Sequence, residues 1–150
     1  MIRFAVTSFE NWDGLQRAIC ELRAKGLTND AFNCLCLARI CQQKPDTVAL
    51  CEARSEQELA FAGNVERICC SNGILADCLA ARSHEGAATL ATALQHWLIE
   101  RHAEQVQQSV LLGRIVLWVQ LSDDSAERSA YDALLAHSRH PVGVHDLING

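Results

Sequence analysis

The stretch Gly113-Arg114-Ile115-Val116-Leu117-Trp118-Val119-Gln120-Leu121 is the most continuous apolar and β-branched run in the chain, and its reading decides the fold. Runs of this kind mark the central strand of a sheet, where few positions are left to water. Ser122, Asp123 and Asp124 follow, offering an N-cap and an acidic first turn to a helix that carries Ala126, Ala130 and Leu134, with Tyr131 and Leu135 beside them. Pro141 limits that helix beyond His140, and Val142 to Leu147 alternates as a short last strand.

The same order of elements opens the chain. Ile2 to Thr7 alternates large apolar with smaller or polar residues, the period of a strand. Trp12, Leu15, Ile19 and Leu22 then recur at helical spacing, with Ser8 or Asn11 placed to cap the start and Gly26 placed to end it with Leu27 folded back. A polar turn at Thr28, Asn29 and Asp30 leads into Phe32 to Ala38, apolar at nearly every position and read as the second strand.

Two βαβ units in one antiparallel sheet, with both of their helices on one face, give an α/β (α+β) chain of ferredoxin-like plan, and that plan sets the first strands of the two units side by side in the centre. Residues 1–150 read as a single domain: 1–40 as the first unit, 41–112 as a largely helical insertion and 113–150 as the second unit. Within the insertion, Ser55 and Glu58 have capping-box spacing, and Ile74 to Arg82 is an alanine-rich helical segment. Leu90, Leu94, Trp97, Leu98, Val106 and Val110 punctuate a long helical pattern, while Val65 to Cys70 reads as an extra strand or a buried turn.

Length and composition bound the function. A chain of 150 residues, 49% hydrophobic and 21% charged, is long enough for one real core. The formal net charge of -5, with basic residues scattered singly, argues against nucleic acid and anionic membrane surfaces as partners. The start, Met1 to Phe9, is too short and too soon interrupted by Glu10, Asn11 and Asp13 for an export signal, and no apolar run approaches the length of a membrane span. The expected location is the cytoplasm. There the eight cysteines stay reduced, and most are expected to behave as small buried hydrophobes.

The segment Phe4 to Leu27, the block Gly113-Arg114-Ile115-Val116-Leu117-Trp118-Val119, then Asp124, Glu127 and Val142-Gly143-Val144-His145-Asp146 resemble the bacterial heat-induced general stress protein domain. The resemblance covers the two ends of the chain and implies a ferredoxin-like fold and a stress-associated role. In the middle, where relatives in that family often carry a glycine-rich apolar stretch, this chain has Arg82, His84, Glu85, Glu100, Arg101 and Glu104 instead, so membrane association is not implied. The resemblance maps no catalytic or ligand-binding residue onto this sequence.

Several groups could carry chemistry. His137, His140 and His145 crowd the end of the chain, and a three-residue spacing at a helix end can bring two imidazoles to one metal ion; the plainer reading is a histidine stabilised by a helix C-terminus. His96 and Glu100 share a helix face, with His102 displaced around it. Cys69-Cys70 before Ser71, Asn72 and Gly73 would be a reactive thiol if a helix began there, against a buried structural thiol otherwise. Asp123, Asp124 and Glu127 are equally at home as the acidic first turn of a helix. No phosphate-binding glycine loop or nucleophile elbow occurs, and no cofactor is called for.

The expectation is therefore a non-enzymatic, stress-associated interaction or regulatory module that self-associates as a homodimer through the sheet face opposite its helices, with a further protein partner or a small ligand possible. The alternative is a small-ligand or metal sensor, or a weakly marked enzyme, using a pocket between the sheet and the inserted helices.

Overall fold

The computed structural model describes residues 2–45, 56–71 and 73–147. The elements among them are β1 (Ile2–Phe9), α1 (Trp12–Ala24), β2 (Phe32–Leu37), α2 (Ala38–Cys41), β3 (Glu56–Leu59), β4 (Ile68–Ser71), α3 (Ile74–His84), α4 (Leu90–Leu94), α5 (Glu100–Leu111), β5 (Ile115–Leu121), α6 (Asp124–His137) and β6 (Gly143–Leu147). The strands form one sheet of six in the order β3-β4-β2-β5-β1-β6, with every neighbouring pair antiparallel. Its β2-β5-β1-β6 part is the ferredoxin-like core, and β5 and β1, the first strands of the two units, lie side by side in the middle.

Local sequence explains the element ends. The Asn11 side chain accepts from the Gly14 N–H at 2.9 Å and opens α1. Gly26, with φ 98, closes it: the Gly26 N–H reaches the Arg23 carbonyl and the Leu27 N–H reaches that of Leu22. Gly113, with φ 87, ends α5 in the same way through the Val110 and Ser109 carbonyls and turns the chain into β5. Asp123 caps α6 by accepting from the Ala126 N–H at 2.7 Å.

Alternate residues of the central strands feed two cores. Ala5 and Phe9 of β1 with Leu117 and Val119 of β5 face α1 and α6, meeting Leu15, Ile19, Leu22 and Leu134. Phe4 and Val6 with Val116 and Trp118 face the other way, onto α3, α4 and α5 through Leu75, Leu79, Leu90, Leu94 and Val110. Both faces of the sheet are thus covered, which is why β5 is apolar on both of its sides. The face on which self-association was expected to rest lies under the insertion.

The insertion departs from its expected detail in three places. Glu58 belongs to the strand β3 rather than to a capped helix, and Ser55 lies outside the described residues. The extra strand does form, but as Ile68–Ser71, while Val65 is fully exposed. The pattern from Leu90 to Val110 is two helices rather than one, because the chain breaks between Leu94 and Glu100 to set α4 against α5. Among the described residues, no helix is long and apolar enough to cross a membrane.

Candidate functional site

Helix α5 seats Ala103, Val106 and Val110 on the sheet, a stripe at helical spacing. His102, Gln105 and Ser109 run along the flank of that stripe and overhang the β1-β6 side of the sheet, where the helical layer stops. Beneath the overhang is a cleft of about 790 Å³, walled by α5 on one side and by β1, β6 and the segment before β6 on the other.

Strand parity aims His145 into the cleft. It pairs with Phe4 in the β1-β6 ladder and therefore points to the α5 side of the sheet. There its ring meets His102 edge to face, with centroids 4.9 Å apart. Burial holds His145 below the ordinary imidazole pKa and the neighbouring His102 adds to this, against a smaller opposing pull from Asp146. Gly143, two residues earlier on the same face, makes the space: a Cβ there would come within 2.7 Å of the His145 Nε2.

The opposite end of the cleft is a charged cluster. His140 Nε2 lies 2.5 Å from Glu10 Oε1, and the Arg114 Nε lies 3.4 Å from the same oxygen. The His140 hydrogen bond, helped by Arg114, holds the Glu10 carboxyl below its usual range. The segment carrying His140 is fixed by Ser138, whose hydroxyl donates to the Ser8 carbonyl at 2.7 Å, accepts from the His140 N–H at 3.1 Å and sits 3.0 Å from the Thr7 hydroxyl. Thr7 in turn donates to the Pro141 carbonyl at 3.0 Å.

The expected histidine trio divides. His140 and His145 line the same cleft, but His137 turns to the other side and pairs with Glu21 of α1 at 3.6 Å. Among the described residues, no group of three or more histidine, cysteine or acidic side chains is arranged to hold a metal ion. In the second group, His102 leaves its helix neighbours for His145, whereas His96 packs edge-on against Trp97 at 5.2 Å. Asp123 is a cap and Glu127 binds Arg3 at 3.0 Å, so the acidic turn is structural. Cys69 and Cys70 do not begin a helix; they lie on β4 and point to opposite faces, and burial pushes the Cys70 thiol up to about 12.

Sequence reasoning did not single out Glu10 or Arg114 for this site. Glu10 follows β1 and Arg114 precedes β5, and the antiparallel register that pairs Phe9 with Ile115 is what brings them together. Compared with protein-family models, curated proteins and solved structures, the chain matches none.

Proposed function

We propose that the protein binds a small organic acid in the cleft between α5 and the β1-β6 edge of the sheet. The observation that carries this reading is the chemistry of the wall: Arg114, His102, His140 and His145 line the cleft together with amide and hydroxyl groups, and no carboxylate is among the lining residues. The floor, Val6, Val106 and Val116, is apolar and suits a short carbon skeleton. The volume lies within the range of small-molecule sites, and a few convergent polar groups on an apolar floor are their usual composition. Glu10 sits behind Arg114 and His140 and orients both without occupying the wall.

This reading is preferred to self-association through the sheet because α3, α4 and α5 already lie on that face. The test is thermal melting against a panel of small carboxylic acids, each paired with its neutral amide. A ligand at about 100 times its Kd stabilises the folded state by about 2.7 kcal/mol. The acids should raise the melting temperature, the amides should not, and Arg114→Gln should abolish the shift. Equal shifts from acids and amides, or a shift untouched by Arg114→Gln, would overturn the proposal.

A further inference from the structure

On the sheet face that carries α1, beside the start of that helix, three thiols converge from three elements. Cys36 of β2 stands directly opposite Cys69 of β4 in the antiparallel ladder, and Cys41 closes the short helix α2 above them. Together with Cys34, Glu56 and Trp12 they line a cavity of about 10 Å³, room for about one water-sized molecule. Cys36 is buried, while Cys41 and Cys69 are half-buried and open to a small solute.

The three thiols are not equivalent. Hydrogen bonding with Cys36 and then Cys69 lowers the Cys41 thiol most, burial opposes this, and hydrogen bonding with Glu56 and the charge of Lys44 lower it further, which together hold Cys41 well below the ordinary thiol range. Cys36 and Cys69 move the opposite way, each because its proton is held in the bond to Cys41 and because it is buried; Glu58 and Glu56 add to the effect at Cys69. The cluster therefore favours the charged form at Cys41 and the protonated form at its two neighbours. Lys44 also pairs with Glu56, which keeps its ammonium over the cluster.

We propose that Cys41 is a peroxide-reactive thiol and that Cys69 resolves it as a disulfide. The Cys41 thiolate attacks one oxygen of hydrogen peroxide; an S–O bond forms, the O–O bond breaks, and the departing hydroxide takes up a proton as water. The Cys69 sulfur then attacks Cys41, an S–S bond forms, and the S–O bond breaks. The hydroxide released takes the Cys69 proton as a second water. Two thiols are oxidised and one peroxide is reduced. Cys69 rather than Cys36 is the resolving partner because it is half-exposed, so the water it releases has a way out. The partial burial of Cys41 favours the smaller hydrogen peroxide over bulky organic hydroperoxides.

Two measurements on the full chain test the proposal. In the first, the wild-type protein is alkylated with iodoacetamide at pH 6 and each cysteine is followed by peptide mapping, with the exposed Cys20 as internal reference. Cys41 should react roughly ten-fold faster or more. In the second, the protein is treated with hydrogen peroxide or with cumene hydroperoxide and mapped without reduction, in the wild type, in Cys41→Ser and in Cys51→Ser. A Cys41–Cys69 disulfide should form with hydrogen peroxide, persist in Cys51→Ser and be absent from Cys41→Ser. Alkylation of Cys41 no faster than that of Cys20, a disulfide to Cys36 or Cys51 instead, or equal reaction with the bulky peroxide would overturn it. The alkylation arm needs no variant, so a folding defect in Cys41→Ser leaves it decisive.

Discussion

The imidazole of His145, on the edge strand β6, meets that of His102, on the inserted helix α5, edge to face with ring centroids 4.9 Å apart. One ring comes from the ferredoxin-like core and the other from the insertion, so the contact exists only when both are assembled. Its consequence for pH follows from the lowered pKa of His145. The unfolded chain takes up a proton at that residue near 6.5, and the folded chain does so only at lower pH. The folded state binds fewer protons between those two values, so stability is fully present above 6.5 and falls as the pH drops through that window. Denaturant titrations between pH 8 and pH 5 should show this loss, and His145→Gln should remove the part that sets in below 6.5. Glu10 and Asp146, also lowered, act only nearer the carboxylate range, whereas Cys41, lowered from the thiol range, adds a loss of the same sign across the whole interval that His145→Gln leaves in place.

Gly143→Ala places a methyl group 2.7 Å from the present position of the His145 Nε2, too close for both to stay. The backbone there does not require glycine, since Gly143 is not among the positive-φ glycines. The ring should therefore swing away while the strand survives. The expected outcome is a fold of nearly wild-type stability, within about 1 kcal/mol, that has lost the ligand-induced rise in melting temperature. Imidazole NMR resonances of His102 and His145 should shift together.

Ser138→Ala removes a hydroxyl that donates to the Ser8 carbonyl and accepts from the His140 N–H, 3.0 Å from the Thr7 hydroxyl. Because Thr7 beside it is only 3% exposed, water replaces the lost hydroxyl poorly. Equilibrium unfolding should register a loss of about 1–3 kcal/mol, and His140 should release Glu10, seen as a rise in the Glu10 pKa toward its ordinary value by carboxyl NMR.

Leu79→Ala tests whether the insertion shares the main core. Leu79 on α3 is fully buried against the sheet face that carries Trp118. The substitution should cost about 2–5 kcal/mol and lower a single transition seen alike by circular dichroism and tryptophan fluorescence. A separate early transition confined to one probe would show instead that the insertion unfolds on its own.

Much of the architecture was legible in the chain because its signals are local. The stripe Trp12, Leu15, Ile19 and Leu22, the turn at Gly26 and the run Ile115 to Leu121 each specify an element without help from distant residues. The run Ile115 to Leu121 also carried a message about the insertion: a strand apolar on both sides needs cover on both faces, and α3 to α5 supply the second cover. The break between α4 and α5 was not legible, because Trp97 and Leu98 continue an apolar pattern that only packing interrupts. The cleft was legible in part. His140 and His145 drew notice as a trio with His137, and His102 in a separate group with His96 and Glu100, but the grouping of His102 with His140 and His145 depends on the β1-β6 register and on where α5 comes to rest. The thiol cluster was hidden for the same reason: Cys36 and Cys69 become neighbours only through strand pairing.

The central pair of the sheet joins Arg3 to Leu121 and Phe9 to Ile115, residues from opposite ends of the chain. During synthesis on the ribosome, β1 and α1 therefore emerge long before the strand that must sit beside them exists. The nascent N-terminal segment has no native neighbour for β1 until β5 has left the exit tunnel, and Phe4, Val6 and Phe9 wait uncovered in the meantime. Chaperone dependence should thus be greatest while the insertion is being translated, and should end when the last strands are released.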